Sequence, residues 1–283
     1  MKIKNSNNNN SKKKIKELKK IKIKNIKKVI SLNKPHRDEP RIFNHRKEFL
    51  INLLKVNKFY TNGFIIKAGL RDINLSIKKG SFVAIIGKSG SGKTTLMNIM
   101  SGLTRASNGI VSINEKNLIT YKDSELGKFR KKNISFIFQQ YGLVQTLNVF
   151  ENVKTGALLS SSKISKDEIL KMLDKVGIKN QYKSFPKQLS GGQQQRTSIA
   201  RALIKKPQIL FCDEPTGSLD SESAFNILKL FKTINYEEKT TIIIITHDSR
   251  IGKLADHLIE VEDGKITKDV RQTPLKEFKD LFI

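Results

Sequence analysis

The eight residues Gly87-Lys88-Ser89-Gly90-Ser91-Gly92-Lys93-Thr94 constrain this chain more than any others. Glycine at 87, 90 and 92 frees the backbone to curl, so that successive N–H groups can point into one concavity. The stretch directly follows an apolar, strand-like run at 81–86. A strand that ends in such a loop and then enters a helix places the helix N-terminus, the positive end of its dipole, at that concavity. The segment therefore reads as strand, anion-binding loop and helix, the opening unit of an α/β protein.

The anion that suits this loop is a triphosphate. The backbone amides of 87–95 would meet phosphate oxygens, Lys93 would reach the β- and γ-phosphates, and the Thr94 hydroxyl would ligate Mg²⁺. Gly87, Lys88, Ser89, Gly90, Ser91, Gly92, Lys93, Thr94 and Thr95 are the expected cradle. Such a site needs carboxylates at the end of another buried strand. Asp213 and Glu214 follow the apolar run 209–212. Asp213 would hold the metal, and Glu214 would polarise the attacking water as general base. Cys212 then reads as a small buried strand residue.

Further short apolar runs at 134–138 and 242–245 have strand length, and their lack of alternation predicts burial on both faces. Residues 165–176 and 193–203 have helical spacing. The chain has a single cysteine, which excludes an internal disulfide. No apolar run approaches the ~18–20 residues of a membrane span, and the N-terminus lacks the apolar core of a secretory signal. These features predict a soluble or peripheral cytoplasmic protein. The formal net charge is +28, which admits nucleic acid, anionic lipid or acidic partners. An AT-rich genome would also write such a lysine-, isoleucine- and asparagine-rich chain. The first fifty residues hold 14 Lys and 3 Arg against four acidic residues. Residues 1–14 read as disordered. In 15–30, Ile15, Leu18, Ile26, Val29 and Ile30 fall within a stripe of about 120°, as in an amphipathic helix that would lie on an anionic membrane surface.

Leu189-Ser190-Gly191-Gly192-Gln193 precedes the helical pattern at 193–203 and forms a second helix-N-terminal anion site. One chain does not need two such sites for one triphosphate, whereas a head-to-tail dimer does. The stretch resembles the signature motif of the ABC ATPases, and the remaining parts follow in that family's order. Gln139 matches the Q-loop glutamine, Ser218-Leu219-Asp220 the D-loop, His247 the switch histidine, and Tyr60 the aromatic that stacks on adenine.

The resemblance covers about 50–267. It implies an α/β P-loop NTPase of ABC type, with an antiparallel β-subdomain and a helical subdomain at about 116–189. Residues 1–49 would be a basic extension and 268–283 a C-terminal tail. ATP and Mg²⁺ are the implied cofactors. Glu214, His247 and Gln139 take the catalytic roles, and Thr94, Gln139 and Asp213 attend the metal. Ser190, Gly191, Gly192, Gln193 and Asp220 would contact nucleotide in a homodimer of ATPase subunits. The implied function is to drive a separate transmembrane permease from the cytoplasmic face of the membrane. The stretches 213–220 and 138–153 resemble the lipoprotein-releasing, macrolide-exporting and cell-division ATPases, which pair with FtsX-like permeases. The basic extension departs from that group. The alternative is a soluble ABC ATPase acting on ribosome or nucleic acid. One set of motifs, with no room for a coiled coil between Gln139 and His247, disfavours it.

Overall fold

The computed structural model describes residues 48–62, 65–160 and 163–274. The low-complexity segment, the amphipathic stretch expected at 15–30 and the end of the C-terminal tail lie outside these residues. In chain order the strands are β1 (Phe49–Asn62), β2 (Ile65–Lys78), β3 (Phe82–Ile86), β4 (Asn108–Ile113), β5 (Lys116–Asn117), β6 (Ile134–Ile137), β7 (Ile209–Asp213), β8 (Thr241–Thr246), β9 (His257–Glu262) and β10 (Lys265–Arg271). The helices are α1 (Lys93–Met100), α2 (Asp123–Asn133), α3 (Val149–Ala157), α4 (Lys166–Lys175), α5 (Gly191–Leu203), α6 (Ser221–Glu238) and the short α7 (Ser249–Gly252). Among the described residues no helix is long and apolar enough to cross a membrane.

Two sheets carry the structure. The antiparallel one runs β2-β1-β4-β5. Its long hairpin is not a regular alternation, because the β1–β2 register shifts between Leu53 and Val56 and again at Lys58. Lys55 and Asp72 take positive φ there (50° and 48°). The displaced amides are met by side chains: Lys55 N–H donates to Asn74 Oδ1 and Asp72 N–H to Asn57 Oδ1, each at 2.9 Å. These bulges bend the sheet without leaving backbone donors unpaired.

The second sheet runs β10-β9-β3-β8-β7-β6, parallel apart from the edge strand β10. Alternate residues serve two separate cores. Val83, Ile85, Phe211, Ile243 and Ile245 pack toward α1 and the antiparallel sheet. Phe82, Ala84, Leu210, Cys212, Ile242 and Ile244 pack toward α3, α4, α5 and α6. Burial on both faces explains why these strands read as unbroken apolar runs. Burial also pushes the Cys212 thiol well above its ordinary pKa, which leaves it inert.

The order β9-β3-β8-β7 brings the carboxyl ends of β3, β7 and β8 side by side. Ligands of open α/β sheets bind at this edge. Two boundaries differ from the sequence reading. Within 116–189, β5 joins the antiparallel sheet and β6 the parallel one, while α2, α3 and α4 supply the helices. At the other end, β10 carries the sheet to Arg271, past 267. Its Asp269 Oδ1 pairs with the buried His257 Nε2 at 2.5 Å, and Arg271 donates to the Ser76 carbonyl at 3.0 Å.

Helix α3 lies against α5 through Gly156: a Cβ at that position would stand 2.1 Å from the Arg201 carbonyl oxygen. Gly156→Ala must therefore separate the helices, an overpacking cost of about 1–3 kcal/mol. At Gly127 in α2 a Cβ meets nothing within 4 Å, and Gly127→Ala should stabilise by roughly 0.5–1 kcal/mol. Urea denaturation at constant m-value should show opposite shifts in midpoint, and shifts of the same sign would contradict this packing.

Candidate functional site

The loop after β3 folds as its glycines require. Gly90 and Gly92 take φ of 77° and 109°. A Cβ at Gly87 would stand 2.2 Å from the Val261 carbonyl oxygen, and one at Gly92 would stand 2.9 Å from that of Gly69. The loop is thus pressed between β9 and β2, and only hydrogen fits on the side facing them. Lys93 opens α1 and is nearly buried. Its Nζ donates to the carbonyls of Gly87 and Lys88, both at 2.8 Å. The ammonium is folded back over the loop, where an incoming phosphate can take the place of those carbonyls. Ser91 Oγ is buried at the same loop and has no hydrogen-bond partner. It is a donor available to an oxyanion.

Tyr60, Gly90, Gly92, Lys93, Thr94 and Thr95 line one cleft of about 490 Å³, within the size range of ligand pockets. Tyr60 is 44% exposed at its mouth, with Lys58 Nζ 5.2 Å from the ring centroid. Its ring sits tightly over Gly69, so one face is supported and the ring can stack on a flat base. Lys67 and Arg71, which the sequence reading did not single out, add positive charge to the same cleft. Gly87, Lys88 and His247 line an adjoining hollow of about 430 Å³.

Glu214 is held with unusual firmness. The residue has φ 46°, and its carboxylate accepts three contacts. Thr246 Oγ1 donates to Oε2 at 2.9 Å, and the His247 backbone N–H donates to Oε1 at 3.0 Å. His247 Nδ1 lies 2.8 Å from the same Oε1. The ends of β7 and β8 thereby fix the carboxylate beside the histidine, whose ring remains 72% exposed. Thr246 was legible only as a neighbour of His247.

Asp213 ends β7, one residue before Glu214. Burial raises its pKa, repulsion from Glu214 raises it further, and Lys93 opposes both. A carboxylate held against its preference for charge is relieved by a cation. Among the described residues no three His, Cys, Asp or Glu side chains gather as a metal cage. Mg²⁺ takes one or two carboxylates and completes its shell with water and phosphate. Asp213 and the exposed Thr94 hydroxyl are compatible with that role. Gln139 lies exposed against Gly217.

Ser190, Gly191, Gly192, Gln193 and Asp220 do not line this chain's own cleft. Ser190 caps α5: Gln193 N–H donates to its Oγ at 3.3 Å, while Ser190 N–H donates to Gln193 Oε1 at 3.0 Å, a reciprocal capping box. Asp220 caps α6 by accepting from Ser223 N–H at 2.8 Å, and that bond holds its carboxyl below the usual range. Gln195, buried in α5, donates to the Pro215 carbonyl at 2.7 Å and ties that helix to the segment after Glu214.

Comparison with known proteins agrees with this geometry. The family profile described as ABC transporter matches residues 70–217. The MG065 homolog of Mycoplasma pneumoniae, named among ABC transporter ATP-binding proteins, is 46% identical over 241 residues; these cover 85% of this chain and 52% of that protein. The macrolide export ATP-binding/permease protein MacB of Aggregatibacter actinomycetemcomitans is 40% identical over 80% of this chain and 35% of its own length. The chain thus spans about half or less of these relatives. A solved dimeric, post-hydrolysis structure of the ATP-binding cassette MJ0796 bound to ADP and Pi superimposes with a TM-score of 0.73 at 35% identity, covering 80% of this chain and all of that one. The phosphate loop, the paired carboxylates and the capped signature helix occur in one order and at one sheet edge, and the chain belongs to the ABC transporter ATP-binding family.

Proposed function

We propose that this chain binds Mg-ATP and hydrolyses it within a head-to-tail dimer, and so drives a membrane permease on a separate chain. The observation that carries this reading is the split of the site. The cradle, Asp213, Glu214 and His247 share one edge, whereas Ser190, at the N-terminus of α5, and Asp220 stand outside the same chain's cleft. Two copies placed head to tail would complete both sites. The MJ0796 cassette, dimeric and bound to ADP and Pi, supports such an arrangement. The name of MacB, an ATP-binding/permease protein, supports coupling to a permease, as does its place in the subgroup noted from the sequence. An FtsX-like partner on the cytoplasmic face of the membrane fits that likeness.

Binding would release Lys93 from the Gly87 and Lys88 carbonyls to the β- and γ-phosphates, while loop amides and the α1 N-terminus meet the remaining oxygens. Tyr60 would stack on the adenine. Thr94, Asp213 and Gln139 would hold Mg²⁺, which would supply charge to offset that of the phosphates. Glu214, already aligned by Thr246 and the His247 amide, would accept a proton from the attacking water. His247 would stand at the γ-phosphate. Ser190 of one subunit would close over the nucleotide of the other through the N-terminus of α5, and hydrolysis would weaken that clamp.

Lys93→Ala removes a charge-assisted contact of about 1.5–3 kcal/mol, so titration with a fluorescent ATP analogue should show affinity about 10- to 100-fold weaker. Turnover at the native rate in this variant would sink the phosphate-loop assignment. Glu214→Gln keeps the cradle and loses the base, so steady-state hydrolysis should fall by about 10²-fold or more while Mg-ATP still binds. Size-exclusion chromatography should show this variant as a monomer without nucleotide and a dimer with Mg-ATP. Adding Ser190→Arg should abolish the dimer by placing a bulky cation at the α5 N-terminus. A Glu214→Gln chain that stays monomeric with bound Mg-ATP would contradict the shared site.

A further inference from the structure

Tyr141 lies two residues beyond Gln139, in the segment joining β6 to α3. Its backbone takes φ 45° and is clamped from α5. Arg201 Nη2 donates to the Tyr141 carbonyl at 2.9 Å, and Arg201 Nη1 to the Gly142 carbonyl at 2.6 Å. Burial lowers the pKa of that guanidinium, and the two carbonyls supply acceptors in place of the lost water. With its main chain fixed, the ring reaches out of the Gln139 segment to two other parts of the site. Its hydroxyl lies 3.1 Å from Ser218 Oγ, in the segment between Glu214 and α6. The same hydroxyl sits over the first turn of α5, where a Cβ at Gly191 would be 2.9 Å from it. Glycine at 191 thus leaves the space the phenol occupies, in addition to serving an anion site.

One hydroxyl therefore touches two segments besides its own: its own bears Gln139, the second leads to Asp220, and the third is the helix capped by Ser190. In the dimer proposed above, Gln139 faces the chain's own nucleotide and Ser190 and Asp220 face the partner's. We propose that Tyr141 is a positioning residue that makes these groups move together, through the Tyr141–Ser218 hydrogen bond and the contact with Gly191, so that both nucleotides are engaged in register. The inference rests on the dimeric reading and goes beyond it by assigning the link between the two half-sites to named atoms. Tyr141 touches no reacting atom, so its loss should impair closure more than nucleotide binding.

The test is a double-mutant cycle on the full chain, with steady-state kinetics and equilibrium ATP titration. Tyr141→Phe keeps the ring and removes the hydroxyl, and Ser218→Ala removes the other partner. Each should lower kcat by roughly three- to tenfold, the worth of one neutral hydrogen bond, with KM and ATP affinity within about twofold of wild type. The double variant should be no worse than the worse single one, because both changes delete the same bond, and Ser218→Thr, which keeps a hydroxyl, should stay near wild type. A Tyr141→Phe chain with the wild-type kcat, or losses that multiply in the double variant, would overturn the proposal. Glu214→Gln in the same assay separates the two levels. If it abolishes turnover while Tyr141→Phe does not differ from wild type, only the role of Tyr141 falls. If it leaves turnover intact, the hydrolytic reading itself falls.

Discussion

The arrangement depends on how a strand buried on both faces delivers its chain to an anion. β3 lies between β8 and β9, so its carboxyl end emerges into a crowded edge. There the loop has Val261 on one side and Gly69 on the other. Only glycine fits at 87 and 92, and the loop that results ends on the α1 N-terminus. Lys93 adds a cation that the loop's own carbonyls hold in readiness. The same strand order sets β7 and β8 beside that loop. Asp213, Glu214 and His247 therefore arrive at the cradle as consequences of the sheet.

Charge is balanced locally at this edge. Asp213 is held against its preference to ionise, chiefly by burial and then by Glu214, a mismatch that a bound divalent cation would remove. Glu214 is stabilised differently, by the Thr246 hydroxyl and the His247 amide. Such different surroundings support the different tasks proposed for the adjacent carboxylates, one holding a metal and the other taking a proton. Ser190 and Asp220 satisfy their own helix ends with side-chain oxygens, so the signature helix is preformed before it meets any nucleotide.

Much of this was legible because it is written in contiguous residues. The phosphate loop, the carboxylates after 209–212 and the α5 cap each combine a local motif with an adjoining element, and local backbone physics suffices to read them. The β1–β2 hairpin was hidden because bulges at Lys55 and Asp72 break the two-residue period that marks a strand. Lys67 and Arg71 were missed with it, since they reach the cleft only once that hairpin is placed. The Tyr141–Ser218 contact joins residues 77 positions apart and has no local signature. Gly191 was read for its backbone alone, whereas a Cβ there would also stand 2.9 Å from the hydroxyl of Tyr141 in another segment.

Amide hydrogen exchange on the Glu214→Gln chain, with and without Mg-ATP across a range of protein concentrations, would probe the shared site most directly. Peptides spanning 87–95 should gain protection once nucleotide binds, at every protein concentration. Peptides spanning 189–193 should gain protection only with nucleotide present and increasingly as the chain is concentrated, because a second copy must supply the phosphate they cover. Protection of 87–95 alone at all concentrations, or protection of 189–193 that ignores chain concentration, would contradict a nucleotide held between two copies.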